Sequence, residues 1–424
     1  MRMIKILLYH RVENLTEDFN MLAVSPENFR AHMKYLAENY RILDLNENIS
    51  DWFEEGTEDA VIITFDDGYY DWVSHALPVL KQYGIPATMF ITTGNVGTEK
   101  EFWTDNLHRN ILAGRNYKDF FHLKTDYFDV KWPTQTLQQR VELYQYLRRL
   151  LQISPPDEKR LYLRRLSQWS GCPEIGRDNR RSLTEKEIQT LASTEGISIG
   201  AHTVTHPSLK WMTKEEQWYE ISESRKYLEQ LINKKVDLFS YPFGTADDFS
   251  DVTVDILKEM GFEKAVAGYP GDIDAESNLY TLPRYTIRNY DQEDFVKYMD
   301  FIFSKGNQNC MEKECGVGKI GYMGSIENDM QVLKGNENIL IWGTGYCGEE
   351  LYSWILRNGL KEKLIGFGDN DVSKTGTCFM GYSVYGIDQL RQREPFIILT
   401  KGQYAREISK QLCDCKTGVI HWII

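Results

Sequence analysis

The stretch VIITFDDGYYDW, residues 61–72, places two carboxylates, Asp66 and Asp67, directly after a run of strand-forming apolar residues. Two like charges so close repel each other, and neither aspartate has an adjacent lysine or arginine to offset its charge. A buried strand that ends in such a pair needs a positive partner from elsewhere in the fold. A bound metal cation would stabilise both carboxylates and would explain why they stand together.

Strand-like and helical segments alternate around this stretch. IKILLYH (residues 4–10) and IPATMFIT (residues 85–92) have the composition of strands, whereas SPENFRAHMKYLAENY (residues 25–40) has apolar residues at helical spacing after a Ser-Pro start. Such alternation predicts an α/β fold with a parallel sheet and crossover helices. Between about residues 100 and 195 the pattern predicts a helical insertion. Its basic residues leave a substrate-capping or membrane-surface element as the alternative.

Length, charge and apolar runs limit the class of protein. A chain of 424 residues is long for one core, so we expect one large and one small domain. The net charge of -13 argues against nucleic acid as a partner. The N-terminal apolar run is too short for a signal peptide, and no later run approaches a membrane span. We therefore expect a cytoplasmic protein without a transmembrane segment.

Seven cysteines are scattered along the chain. An odd number of scattered cysteines fits reduced thiols in the cytoplasm. The cysteines of CMEKEC (residues 310–315) and CDC (residues 413–415) leave a metal cluster as the alternative. Neither has the two-residue spacing of a zinc knuckle, so ordinary thiols are the preferred interpretation.

Four groups of residues follow or adjoin predicted strands, where α/β barrels build their active sites. They are the acid pair, the histidines of GAHTVTH, the YPFG turn (residues 241–244) and the arginine of LPR: Asp66, Asp67, His202, His206 and Arg284. One carboxylate and two neutral imidazoles suit Zn²⁺, Co²⁺, Ni²⁺ or Fe²⁺ and leave coordination positions open. The second carboxylate would then be free to take a proton from bound water. The residues alone leave open which aspartate has which role.

The motifs TFDDGYYD, AHTVTHPSL and YPFG, in this order, resemble those of the polysaccharide deacetylases, carbohydrate esterase family 4, also called the NodB-homology family. LLYHRV, VSPENFRAHMKYL and FWTDNL are similar to the branch found in bacterial surface-polysaccharide gene clusters. The resemblance covers about residues 1–300. It implies a distorted (β/α)₇ barrel and a metal-dependent hydrolase of carbohydrate amides.

The resemblance also implies roles for single residues. Asp66 would be the catalytic base, and the backbone N–H of Phe243 would help to hold the oxyanion. One divalent cation, Zn²⁺ first and Co²⁺, Ni²⁺, Fe²⁺ or Mn²⁺ as alternatives, would be bound by Asp67, His202 and His206.

Two features of the family are missing from their usual places. Many members carry an arginine just before the Pro-aromatic motif, and LFSYPFG has none, so Arg284 is the candidate to orient the base. Many members also have a late Leu-x-His whose histidine is the general acid, but the only histidine after His206 is His421, in the other domain. His10, at the end of the first predicted strand, is the candidate for the acid, with a buried structural histidine as the alternative.

The end of the chain has a pattern of its own. After a barrel over residues 1–305 and a Gly-rich linker over 306–335, residues 336–424 predict a small Rossmann-like α/β domain. ILIWGTGYCGEELYSWI gives a strand, a Gly-x-Gly-x-x-Gly turn and a helix, and KLIGFGDND gives a second strand that ends at an acid. The candidate nucleotide-binding residues are Gly343, Gly345, Gly348 and Asp369. The domain resembles the nucleotide-sugar-binding domains of sugar-modifying enzymes, and a glycine turn that binds nothing is the alternative.

Together these features predict a metal-dependent carbohydrate N-deacetylase. Its substrate would be the N-acetyl amide of a nucleotide- or lipid-linked amino-sugar precursor in bacterial surface-polysaccharide biosynthesis. A deformylase of such a precursor is the alternative among enzymes. A catalytically weak scaffold that binds metal and a nucleotide-sugar is the alternative from another class, whereas a closed structural zinc site is disfavoured because only three protein ligands are apparent. The sugar and the oligomeric state, a homo-oligomer included, are left open.

Overall fold

The structure is a computed structural model. It describes residues 3–15, 18, 20–54, 58–114, 117–124, 129–173, 175–246, 248–303, 321–322, 337–344, 352, 355, 360–390, 396–399 and 419–421. The chain divides into two compact units, Met1–Phe303 and Ser304–Ile424. The predicted linker, residues 306–335, lies almost entirely outside the described residues, so its limits stay a prediction.

A parallel sheet forms the centre of the first unit. The strands of this unit are β1 (Ile4–Tyr9), β2 (Arg11–Val12), β3 (Ala23–Val24), β4 (Arg41–Leu43), β5 (Ala60–Phe65), β6 (Ala87–Ile91), β7 (Phe120–Lys124), β8 (Asp129–Pro133), β9 (Ile197–Ala201), β10 (Leu238–Ser240), β11 (Lys264–Val266) and β12 (Arg284–Thr286). The main sheet has the order β11-β10-β9-β6-β5-β1-β12, and β4 pairs with the first half of β5. A parallel bridge between Val266 and Leu282 brings the chain before β12 against β11. The seven strands of this order thus form a nearly closed barrel, which confirms the predicted (β/α)₇ architecture.

Helices cover the barrel. They are α1 (Pro26–Asn39), α2 (Ile49–Glu54), α3 (Leu77–Tyr83), α4 (Trp103–Ile111), α5 (Leu137–Ile153), α6 (Pro156–Ser170), α7 (Glu185–Ala192), α8 (Lys214–Ile232), α9 (Asp251–Glu259) and α10 (Gln292–Phe303). Their starts carry ordinary helix signals: Ser25 caps α1 by accepting from the Asn28 N–H, and Thr213 and Glu216 form a capping box on α8. None of the described helices combines the length and apolar character that crossing a bilayer requires.

The parallel strands bring the candidate residues to one end of the barrel. All six residues of β1 and of β5 are buried, as expected for strands covered on both faces. His10, Asp66 and His202 each follow the last residue of a strand. Arg284 differs from the expectation, because it opens β12 instead of following a strand, and its buried side chain extends to Asp66.

The segment between α4 and α7 is only partly helical. It contains α5 and α6, as predicted, and also an antiparallel hairpin of β7 and β8, which the sequence interpretation missed. The hairpin packs on α6 through Phe121, whose ring centroid lies 5.4 Å from that of Trp169. Phe121 and Leu123 are buried and alternate with more exposed residues along β7. That alternation covers only five residues between charged stretches, which is too short to stand out in the sequence.

The second unit contains a separate sheet. Its described elements are the strands β13 (Gly321–Tyr322), β14 (Ile339–Trp342), β15 (Leu364–Gly368), β16 (Cys378–Phe379), β17 (Tyr382–Tyr385), β18 (Phe396–Leu399) and β19 (Val419–His421), with a short helix α11 (Ile387–Leu390). The order is β13-β19-β18-β14-β15-β17-β16, with only the β16–β17 pair antiparallel. β14 thus lies at the centre with the later strands on both sides, which agrees with a doubly wound sheet. The segment after β14 lies largely outside the described residues, so the Rossmann-like assignment stays a prediction.

Candidate metal centre and active site

Asp66 lies directly after β5 and is only 3% exposed. Arg284 donates from Nη1 and Nη2 to its two carboxylate oxygens, over 2.8 and 2.6 Å. Burial alone would raise the pKa of Asp66, but the charge of Arg284 and its hydrogen bonds outweigh burial and hold the pKa below its ordinary value. Asp66 is therefore ionised at neutral pH and held in a fixed orientation, as a general base must be.

Ser240, the last residue of β10, connects Asp66 with a predicted metal ligand. Its hydroxyl donates to Asp66 Oδ2 over 2.9 Å and accepts from Arg284 Nη2 over 2.8 Å. Its carbonyl oxygen accepts from His202 Nδ1 over 2.7 Å. Ser240 was not among the predicted site residues. Its place two residues before Pro242 of the YPFG motif is the only signal in the sequence, and a lone serine at the end of a strand has no specific meaning.

His202 follows β9 and is buried. A carbonyl oxygen can only accept, so the bond to Ser240 places the proton of the neutral ring on Nδ1 and the lone pair on Nε2. His202 Nε2 lies 3.5 Å from Asp67 Oδ1 and 3.9 Å from Asp66 Oδ2. The lone pair is thus presented toward the acid pair, and a backbone carbonyl orients the ring, as is common for metal-binding histidines.

Asp67 and Asp66 face different partners because the backbone turns sharply between strand and loop. Asp67 has φ 86° and Gly68 has φ 90°, both in the left-handed range. Asp67 Oδ1 lies 3.3 Å from His206 Nε2. Burial would raise the pKa of Asp67, but its close contacts with the His202 and His206 side chains hold the pKa well below the usual range. The carboxylate is therefore charged and close to both imidazoles.

His206 completes the group. Burial lowers its pKa to about 4, with Asp67 opposing, so the ring is neutral at pH 7. Its Nδ1 is buried and has no hydrogen-bond partner within the described part of the chain. One potential ligand atom from each of Asp67, His202 and His206 lies within 4.8 Å of the others. One carboxylate and two imidazoles at this separation fit a divalent cation with open coordination positions.

Aromatic rings surround the His206 side of the group. Phe243, in the YPFG turn, has φ 61°, and its ring centroid lies 4.6 Å from that of His206. The Phe102 ring lies 5.0 Å from the His206 ring, and the Trp103 ring lies 6.3 Å from the Phe243 ring. This apolar wall limits water around the imidazole. The role of the Phe243 N–H toward an oxyanion stays a prediction.

His10 directly follows β1, as predicted, and the carbonyl oxygen of the preceding Tyr9 accepts from the Asp66 N–H over 3.1 Å. Its Nδ1 is buried and has no hydrogen-bond partner within the described ranges, and its carbonyl oxygen accepts from Trp72 Nε1 over 2.6 Å. Burial lowers the pKa of His10, while the charges of Asp67 and Asp66 oppose that effect. The charges of both carboxylates therefore act on the His10 ring. Its role as general acid stays a prediction.

The predicted nucleotide site is only partly described. Gly345 and Gly348 lie outside the described residues. Gly343 has φ 123°, and its N–H donates to the Gly368 carbonyl over 2.7 Å, which fixes the end of β14 against β15. Asp369 follows β15, as predicted. The binding of a nucleotide by these four residues stays a prediction.

Comparisons with known proteins agree with this geometry. The family model described as polysaccharide deacetylase matches residues 54–116 and 174–265, which include Asp66, Asp67, His202 and His206. "Putative polysaccharide deacetylase YxkH" of Bacillus subtilis (strain 168) is 24% identical over 285 residues, covering 66% of this chain and 70% of the relative. "Poly-beta-1,6-N-acetyl-D-glucosamine N-deacetylase" of Staphylococcus aureus (strain MSSA476) is 21% identical over 315 residues, covering 70% of this chain and 83% of the relative.

A solved structure, "Streptococcus pyogenes deacetylase PplD in complex with acetate", aligns with a TM-score of 0.44 at 20% identity, covering 70% of this chain and 98% of that one. The family match shows a polysaccharide deacetylase domain within the first unit, over the matched residues. The family model leaves out residues 117–173, the range that contains the hairpin and the helices α5 and α6.

Proposed function

We propose that the barrel hydrolyses the N-acetyl amide of an amino sugar with one divalent metal held by Asp67, His202 and His206. The observation that carries this proposal is an ionised Asp66, fixed by Arg284, directly beside that three-residue group. A structural metal site has no need of open positions or of a second carboxylate beside it. A hydrolytic site needs both.

The residues divide the chemistry among them. Asp67, His202 and His206 would hold a divalent cation, Zn²⁺ first and Co²⁺, Ni²⁺, Fe²⁺ or Mn²⁺ as alternatives, which would supply Lewis-acid chemistry to the amide carbonyl and to water. Asp66 takes the proton of the attacking water. Arg284 and Ser240 donate three hydrogen bonds to the Asp66 carboxylate, so the carboxylate meets the water in one orientation.

The leaving amine and the oxyanion need their own donors. His10 is the proposed acid, since it follows the strand paired with that of Asp66 and its buried Nδ1 has no partner among the described residues. Its lowered pKa leaves the ring neutral at rest, so His10 would receive the water-derived proton from Asp66 after the attack and pass it to the amine nitrogen, which leaves Asp66 ionised again. The backbone N–H of Phe243 is the proposed donor to the oxyanion.

The substrate that we infer is an amino-sugar precursor of a bacterial surface polysaccharide, linked to a nucleotide or a lipid. By its name, the Staphylococcus aureus relative acts on poly-β-1,6-N-acetyl-D-glucosamine, which supports an N-acetylated amino sugar as the chemical class. The second unit would hold a nucleotide through Gly343, Gly345, Gly348 and Asp369. Such precursors are made in the cytoplasm, our proposed location, where free thiols such as Cys172 and Cys378 would be stable.

Mass spectrometry of the metal-loaded full chain tests this function. It would be incubated with an N-acetylated nucleotide-sugar, the free sugar, a β-1,6-linked N-acetylglucosamine oligomer and an N-formyl analogue. Loss of an acetyl group from the nucleotide-sugar supports the proposal, and the Asp66→Asn variant is the control for contaminating activity. Loss of acetyl from the oligomer alone would mean that the substrate is a polymer and not a precursor. Faster loss of formyl from the N-formyl analogue would favour a deformylase. If the chain binds metal but hydrolyses none of these compounds, the alternative of a catalytically weak metal-binding scaffold would be favoured.

A further inference from the structure

The turn that carries both histidines has an unfavourable backbone. Thr203 has φ 63° and His206 has φ 54°, so two residues with a Cβ lie in the left-handed region within four positions. Such a conformation persists where the surrounding structure holds it in place. The Thr203 hydroxyl stabilises the turn from inside, because it accepts a hydrogen bond from the His206 N–H over 3.0 Å. Two buried charged residues hold the turn from outside.

Glu220, on α8, binds the N–H groups of the turn. It is fully buried, and its Oε2 accepts from the N–H groups of Val204 and Thr205, over 2.8 Å each. Its Oε1 accepts from the Thr205 hydroxyl over 2.7 Å. One carboxylate therefore fixes two successive peptide groups and one side chain.

Lys159, on α6, binds the carbonyl groups of the same turn. It is 3% exposed, and its Nζ donates to the carbonyl oxygens of Thr205 and His206 over 3.2 and 3.3 Å. The same ammonium lies 5.2 Å from the ring centroid of Trp103. An ammonium has three donors and no acceptor, so it suits a place between two carbonyl groups and an aromatic face. Lys159 belongs to the range 117–173 that the family model does not match.

We propose that Lys159 is a positioning residue for the metal centre: together with Glu220 it fixes the left-handed turn that aims His206 at the cation. The insertion would thereby set the metal affinity of the barrel. This inference rests on the metal site of the proposed function, but it concerns affinity and geometry, which can be measured without any hydrolysis.

The direction in which metal affinity changes when the Lys159 ammonium is removed distinguishes positioning from simple charge repulsion. The charge of Lys159 disfavours positive charge at His206 and would equally repel a cation there. If repulsion were its main effect, removal of the ammonium would tighten metal binding. If positioning is its main effect, removal weakens binding, by about 10- to 100-fold as is typical for residues that orient metal ligands.

The test uses the full chain with Lys159→Met, which keeps the length of the side chain and removes the charge and the donors. Zn²⁺ affinity is measured by competition with a chelator, and the absorption spectrum of the Co²⁺ form reports the ligand geometry. Lys159→Arg should restore part of the affinity because it keeps a charged donor. Lys186→Met, on the exposed face of α7, is the matched control and should leave affinity and spectrum unchanged.

Weaker Zn²⁺ binding by Lys159→Met with an altered Co²⁺ spectrum supports the inference. Unchanged or tighter binding overturns it, whereas a wild-type chain that binds no metal would overturn the proposed function as well. If Lys159→Met does not fold, Glu220→Gln answers the same question, because it removes one acceptor from the other side of the turn. An unchanged Zn²⁺ affinity in that folded variant would also overturn the inference.

Discussion

In both units an aspartate follows a buried parallel strand, yet the two acids have different surroundings. Asp66, after β5, accepts from Arg284 and Ser240, and His202 Nε2 lies 3.9 Å from its Oδ2. Its partners come from distant parts of the barrel and leave it beside a group that can hold a cation. The acid is thus built into a site assembled from several strands.

Asp369, after β15, is used differently. It accepts from the Thr344 N–H over 3.1 Å, from the Thr344 hydroxyl, and from Lys374 Nζ over 3.2 Å. Burial would raise the pKa of Asp369, but these hydrogen bonds lower it. Its partners tie together the loops after β14 and β15. An acid at the end of a parallel strand therefore marks a place in the fold, and the residues around it determine whether it can take part in chemistry.

The largest effect is expected from the acid pair itself. Asp66→Asn should lower kcat by about 10²–10⁴-fold, as for the loss of a general base, while Zn²⁺ stays bound. Asp67→Asn should lose activity and metal affinity together. Elemental analysis and steady-state kinetics of both variants check this. Equal metal loss in the two variants would show that their roles are not divided in this way.

The next effect concerns Arg284. Its charge lowers the pKa of Asp66, so Arg284→Met should raise that pKa. A base acts in its deprotonated form, so the acid limb of the kcat/KM–pH profile should move to higher pH, by roughly 1–3 pH units. Most of the activity would then be lost at pH values below the shifted acid limb, and part of it would return at higher pH. An acid limb that stays in place would mean that another group controls it.

A smaller effect is expected from Ser240. Ser240→Ala removes one donor to Asp66, so kcat should fall by about 5- to 30-fold, corresponding to about 1–2 kcal/mol. Zn²⁺ affinity should not change, because His202 is oriented by the backbone carbonyl of residue 240, which the substitution keeps. Parallel kinetics and chelator titration distinguish the two effects. A loss of metal affinity in this variant would contradict the separation of hydroxyl and carbonyl roles.

The smallest effect should come from the second unit. Asp369→Asn in the full chain should leave kcat unchanged, since the hydrogen bonds of Asp369 within the described residues join loops of its own unit. If a nucleotide binds there, KM for the nucleotide-sugar should rise several-fold while KM for the free sugar stays constant. Identical KM values for both substrates would leave this unit without a role in substrate binding.

The sequence predicted the barrel and the place of the acid–histidine group because these depend on strand alternation and on motifs of adjacent residues. Ser240 and Lys159 escaped prediction, since their importance comes from contacts with residues 174 and 47 positions away. Nothing in PDEKRLYLRRL distinguishes Lys159 from the basic residues around it. The hairpin of β7 and β8 was missed because its strands are short and flanked by charge.

The left-handed backbone at Asp67 and His206 limits how this centre can decay during evolution. Their φ values are 86° and 54°, and asparagine, aspartate and histidine tolerate such values far better than β-branched residues. A lineage that drifts away from hydrolysis could exchange either ligand for asparagine or glycine and keep its turns intact. Valine or isoleucine there would strain the turn as well as remove the ligand. A descendant that has lost its chemistry but kept its barrel should therefore carry asparagine or glycine at positions 67 and 206.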